Sequence, residues 1–172
     1  GDDQSKIADE IREAWKEADL ILTTGGVSVG EKDLLPGVIE NLNGNVLFHG
    51  IQVKPGMPTM LSVVKGTPVL SLSGNPFAVE ALFEVLAGGY LTDMEDSRYL
   101  QKNQMKVLKQ TFVKTGKMKR IVKGRCDESG VYLPKIQKNG QLKNGIGSNC
   151  LVIFPEGERT YAEGEAVRVI RI

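Results

Sequence analysis

The chain of 172 residues contains one histidine, one tryptophan and two cysteines, and each scarcity removes a class of chemistry. His49 is the sole imidazole, and Cys126 and Cys150 stand in no Cys-x-x-Cys spacing, so a zinc cluster or a Cys/His nucleophilic pair lacks its parts. The two cysteines are expected to be reduced and to pack as small hydrophobes, with a disulfide between them as the alternative. Charge of one sign is lacking too: 22 Lys and Arg face 21 Asp and Glu, a net charge of +1, which argues against a nucleic-acid footprint. The longest apolar run, Phe77 to Leu91, is broken by Glu80 and Glu84 and falls short of the roughly 20 residues a membrane span needs, so no span is expected. The opening Gly1-Asp2-Asp3-Gln4 has neither a basic start nor an apolar signal core, which makes the cytoplasm the expected location. An initiator methionine is absent, so the chain is expected to be an excised piece or a processed product.

What is present is ordinary globular composition, 41% apolar and 25% charged. A chain of 18.8 kDa buries about 70% of its unfolded surface, enough for one sizeable core or two small ones. The 20 glycines are nearly twice what an average usage of about 7% would give, and they cluster at Gly25-Gly26, Gly88-Gly89 and Gly145/Gly147, where tight turns are expected.

Apolar residues at Ile7, Ala8, Ile11, Ala14, Trp15 and Ala18 form a helical stripe over Gln4 to Ala18, with Trp15 read as core. Leu20 to Thr23 is too short for a helix and ends at Gly25-Gly26, the pattern of a buried parallel strand. Asp33 is expected to N-cap a helix through about Leu42, with Gly44 as its left-handed stop. Val46 to Val53 reads as a strand, ended by the two prolines of Lys54-Pro55-Gly56-Met57-Pro58. Met60 to Val64 and Pro68 to Ser71 read as short strands, and Asn75 and Pro76 suit the N-cap and first position of a helix to about Ala87. This alternation predicts an α/β domain with a parallel-type sheet and flanking helices, over residues 1–95. A boundary is expected near residues 92–99. Behind it, over 96–172, strands at Lys106 to Lys114, Met118 to Cys126, Val131 to Leu133, Cys150 to Phe154 and Ala166 to Ile172 predict a small all-β barrel or sandwich.

Ligands of open α/β sheets bind outside the carboxyl ends of the strands, and three loops leave strand ends in succession: Thr23 to Gly30, Lys54 to Pro58 and Leu72 to Pro76. The first offers Thr24, Gly25, Gly26 and Ser28, and the third Ser71, Ser73, Gly74, Asn75 and Pro76, so bare amides and hydroxyls could surround an oxyanion. Lys54 supplies a positive charge. Asp33 beside such a loop either caps a helix or holds a metal or ligand donor, and capping is the plainer reading. His49 alternates with Leu47 and Ile51 on one strand and is read as a sheet residue without a role. Lys114, Lys117, Lys119, Arg120, Lys123 and Arg125 are read as a solvated face.

In order and spacing, Ala18-Asp19-Leu20-Ile21-Leu22-Thr23-Thr24-Gly25-Gly26-Val27-Ser28-Val29-Gly30-Glu31-Lys32-Asp33, Val53-Lys54-Pro55-Gly56-Met57-Pro58 and Leu72-Ser73-Gly74-Asn75-Pro76 resemble the molybdopterin molybdenumtransferase family, of the MoeA and gephyrin E-domain type. Ser148 to Gly157 and Gly164 to Val167 are similar to that family's terminal β-domain.

The resemblance implies a MogA-like α/β domain and the last step of molybdenum cofactor synthesis: insertion of molybdate into adenylylated molybdopterin with Mg²⁺-dependent loss of AMP. It implies that Thr24, Gly25, Gly26, Ser28, Lys54, Ser73, Gly74, Asn75 and Pro76 hold the anionic substrates. It also raises Asp33 above a cap, to a catalytic and metal-positioning carboxylate. Met57 stands where members commonly carry a second lysine, and Ser73 where proline is frequent, which removes one charge from the expected anion site. The family's further N-terminal portions are not in this sequence, so the chain is expected to be a C-terminal piece without transferase activity of its own. A homodimer in the intact protein and a molybdopterin adenylyltransferase partner are implied as well. Two alternatives differ in class: a MogA-type adenylyltransferase-like ligand domain, and a receptor-binding scaffold of the gephyrin E type.

Overall fold

The computed structural model describes residues 3–28, 30, 33–88, 103–134 and 147–172. The chain divides into two compact units, Gly1–Ile51 with Gly56–Val79, and Gln52–Pro55 with Glu80–Ile172. The boundary expected near 92–99 lies outside the described residues.

In the first unit, Asp3 caps helix α1 (Gln4–Ala14) by accepting from the Ser5 backbone N–H at 3.0 Å. The apolar stripe turns Ala8 and Ile11 inward, with Ile7, Ala14, Trp15 and Ala18 packed at the margin of the same core. Strand β1 (Ile21–Thr24) follows, then α2 (Leu35–Asn41), β2 (Asn45–His49), β4 (Met60–Val64), β5 (Thr67–Leu72) and the start of α3 (Pro76–Leu82). The intervening β3 (Val53–Lys54) belongs to the second unit. The sheet order is β1-β5-β4-β2. Helices α1 and α2 contribute Ile11, Val38 and Ile39 to a core shared with Ile21, Met60, Val64 and Val69 of the sheet.

The sheet is mixed where a parallel type was expected. β1 and β5 pair in parallel, but β4 pairs antiparallel with both β5 and β2. The cause is local: Lys65 and Gly66 take φ of 53° and 91°, the two left-handed residues of a tight hairpin, so β4 and β5 must run in opposite directions. Strands β1, β5 and β2 therefore all point the same way, and Thr24, Leu72 and His49 end on one rim.

Two glycine and cap readings change. Helix α2 begins at Leu35 without a side-chain cap, so Asp33 is not its N-cap. The left-handed residue after α2 is Asn43, at φ 54°, not Gly44. Gly44 answers a packing demand instead, since a Cβ there would lie 2.7 Å from Ile39 Cγ2 and 2.8 Å from Val64 Cγ2. The predicted strand Val46 to Val53 is split at Gly50, whose φ is 97°.

The second unit carries Phe83–Ala87 as a π-helical turn, then β6 (Asn103–Val107), β7 (Phe112–Lys114), β8 (Lys119–Cys126), β9 (Val131–Tyr132), β10 (Cys150–Phe154), β11 (Arg159–Tyr161) and β12 (Ala166–Arg171). Its main sheet is ordered β3-β8-β10-β12-β6, with β9 beside β8, and β11 pairs β7 separately. From β6 onward the described elements are all strands, as expected. The sheet is open among the described residues: one isolated bridge, Leu108 to Val131, is the ladder's sole link between β9 and the chain leaving β6. Strand β11 was not foreseen. Phe154 is at the centre of the core, stacked on Phe112 at 4.4 Å and edge-on to Tyr161 at 4.8 Å.

Cys126 and Cys150 are free and buried, as their role as small hydrophobes requires. Lys114 leaves the expected solvated face: it is 1% exposed, and its ammonium donates to the Gly116 carbonyl at 2.8 Å and to that of Gly157. No helix among the described residues is long and apolar enough to cross a membrane.

Candidate functional site

On the first unit's rim, β1 runs into Gly25-Gly26, with φ of 82° and 64°, which only glycine adopts without strain. β5 runs into Ser73-Gly74-Asn75 beside it. Thr23 and Thr24 are in register with Ser71 and Leu72, and the Gly25 N–H donates to the Leu72 carbonyl at 2.9 Å. A Cβ on Gly74 would stand 3.5 Å from the Gly25 Cα, so two loops distant in sequence meet backbone to backbone. The chain after β2 returns to the same rim, where Gly50 donates to Thr59 at 2.8 Å and Ile51 to Met57 at 2.9 Å.

Polar groups without partners collect here. The buried hydroxyls of Thr23, Ser71 and Ser73 have no hydrogen-bond partner, and they are the only such buried side-chain atoms among the described residues. The backbone N–H groups of Gly26, Val27 and Ser28 likewise have no acceptor among the described residues. An unpaired buried hydroxyl costs roughly 1–3 kcal/mol. All three belong to β1, β5 and the residue that follows β5.

Asp33 closes the loop on itself. Its Oδ2 accepts from the Gly30 N–H at 2.9 Å, while the Asp33 N–H donates to the Gly30 carbonyl at 2.9 Å. One carboxylate oxygen is thereby used, and the other accepts from no group among the described residues. Asn75 is the expected cap, accepting from the Ala78 N–H at 3.1 Å, with Pro76 as the first residue of α3. His49, read as a residue without a role, places Nε2 2.6 Å from the Val27 carbonyl.

Lys54 belongs to the second unit, where β3 pairs in parallel with β8 and sets Lys54 in register with Arg120. Two like charges at paired positions repel. Neither has a carboxylate partner among the described residues.

Residues 1–93 match the family model described as "Probable molybdopterin binding domain". The chain belongs to that family. It is homologous to curated molybdopterin molybdenumtransferases: 29% identical over 174 residues to that of Staphylococcus aureus (strain COL), and 31% over 183 residues to that of Bacillus subtilis (strain 168). It is covered to 98% and 97% by these alignments but spans only 42% of either relative. Among solved structures, the molybdopterin biosynthesis moea protein from Pyrococcus horikosii superposes with a TM-score of 0.75 at 27% identity, over 98% of this chain and 41% of that one.

Within this molybdopterin-binding domain, Thr24 ends β1 and Gly25, Gly26 and Ser28 follow it, while Ser73, Gly74 and Asn75 form the adjoining loop and Pro76 begins α3. Two residues carry no signal in the sequence pattern. Alternation along β2 hid His49, whose partner lies across the sheet. Arg120 lay inside a basic run, and only the β3–β8 register singles it out.

Proposed function

We propose that this domain holds molybdopterin on the rim formed by Gly25-Gly26 and Ser73-Gly74, and serves the insertion of molybdate into adenylylated molybdopterin with release of AMP. The observation that carries this reading is the gathering of the unpaired hydroxyls of Thr23, Ser71 and Ser73 beside the unpartnered amides of Gly26 to Ser28. Hydroxyl and amide donors suit phosphate and molybdate oxygens alike, and loops at strand carboxyl ends are where α/β sheets take such ligands. Lys54, paired with Arg120 within the second unit, is a further proposed anion-binding charge.

Asp33 is the proposed catalytic and metal-positioning carboxylate. Among the described residues no three His, Cys, Asp or Glu side chains gather into a metal cage. One carboxylate oxygen fits Mg²⁺ nonetheless, because that ion keeps most of its waters and is commonly held by one or two carboxylates together with substrate phosphates. When bound, Mg²⁺ would neutralise charge on the phosphates as AMP leaves. The protein's part is to hold the Asp33 carboxylate in place through Gly30.

Isothermal titration of the chain with molybdopterin, with molybdate and with AMP tests the reading. Molybdopterin binding that the Thr23→Val, Ser71→Ala double variant loses by tenfold or more is the expected result. Equal binding by that variant, or binding of AMP alone, would overturn it, the latter in favour of an adenylyltransferase-like domain.

A further inference from the structure

The glycine loop is fastened at several points. Gly25 donates to Leu72 of β5, the Gly26 carbonyl accepts from Leu35 N–H at the start of α2 at 3.1 Å, and Gly30 is tied to Asp33. Another tie comes from the far edge of the sheet. β2 is the strand most distant from β1 in the order β1-β5-β4-β2, yet His49 at its end reaches the Val27 carbonyl. Val27 is 1% exposed, so without His49 its carbonyl would be a buried acceptor with nothing to accept.

A carbonyl oxygen only accepts, so Nε2 of His49 carries the proton of this bond, in the neutral ring as in the charged one. The bond does more than satisfy the oxygen. The Val27 carbonyl and the Ser28 N–H belong to one planar trans peptide group and point in opposite directions from it. Whatever fixes the first fixes the second. The Ser28 amide is one of the three, with those of Gly26 and Val27, that meet no acceptor among the described residues.

We propose that His49 is a positioning residue of the anion loop: by holding the Val27 carbonyl across the sheet, it sets the direction of the Ser28 amide toward an oxyanion. This rests on the reading of the rim as an oxyanion site. Glutamine can replace the function, since its side-chain Nε2 also donates, whereas alanine cannot.

The test uses ¹⁵N-labelled chain, as wild type, His49→Ala and His49→Gln, with inorganic molybdate as the titrant. Without molybdate, His49→Ala is expected to lower the order parameter of the Ser28 amide toward about 0.6 from the rigid value near 0.85. His49→Gln is expected to keep it rigid, and core amides such as Val69 to stay unchanged in all three. With molybdate, His49→Ala is expected to bind tenfold or more weakly and His49→Gln to regain most of that loss. An unchanged Ser28 amide in His49→Ala overturns the positioning role, as does a loosened amide with undiminished molybdate affinity. A wild type that shows a rigid, His49-dependent Ser28 but binds neither molybdate nor molybdopterin overturns the anion-site reading and the ligand half of this inference with it.

Discussion

Thr23 and Ser71 stand opposite each other in register on β1 and β5, each with a buried hydroxyl that no group among the described residues engages. Parallel pairing in register puts both side chains on one face of the sheet. A fold selected for stability alone would place valine or alanine there.

Thr23→Val is therefore expected to leave the protein as stable as the wild type or to stabilise it by about 1 kcal/mol, because an unpaired buried hydroxyl is replaced by a methyl of the same shape. The same change is expected to weaken molybdopterin binding about tenfold. Thermal melting and calorimetric titration of one preparation check both halves. A clear loss of stability would mean that the hydroxyl has a partner.

Gly44→Ala is expected to destabilise by about 1–3 kcal/mol, since the added methyl must displace Ile39 and Val64 in a packed core. Gly66→Ala meets open space but takes a left-handed φ of 91°, so its cost is backbone strain without a clash. Urea denaturation of the pair, with Val64→Ala added to each, separates the two causes. Making room at Val64 is expected to recover part of the loss for Gly44→Ala and none for Gly66→Ala.

Arg120→Gln is expected to raise stability by up to about 1 kcal/mol at low salt by relieving the charge facing it from Lys54. High salt should erase the difference. A salt-independent change in stability would assign Arg120 a packing role.

The Cys150 thiol is pushed up to about 12 from its usual 9.0, first by burial and then by the neighbouring Cys126 thiol. Its raised value favours the protonated form in the folded state, so the stabilisation is fully present below the unfolded pKa near 9 and is lost as pH rises from there toward 12. Unfolding free energy is expected to fall above pH 9 by at most about 1.4 kcal/mol per pH unit from this group. Cys150→Ala should flatten that slope, at a cost in packing, and native Cys150 should resist iodoacetamide at pH 8, roughly where a free thiol begins to react.

Local rules made much of this molecule legible from its letters. Helical periodicity located α1, breaker residues located the ends of β1 and β5, and the Asn75-Pro76 pair located the start of α3, because each depends on neighbours within one turn or one strand. The glycine and hydroxyl loops could be named for the same reason: strand ends and left-handed turns leave a compositional trace.

Tertiary structure decided what depends on partners distant in the chain. Whether Asp33 caps a helix or returns to Gly30, whether Gly44 is a turn or a packing gap, and whether Lys114 meets water or buried carbonyls are settled by groups that no local pattern identifies. Strand direction made the same difference on a larger scale. One hairpin at Lys65-Gly66 reverses β4 and leaves β1, β5 and β2 aligned, so His49 and the glycine loop share a rim although 22 residues separate His49 from Val27. The sequence by itself located the glycines and hydroxyls at the strand ends; pairing register and strand direction decided which of them stand together, because those are properties of two segments at once.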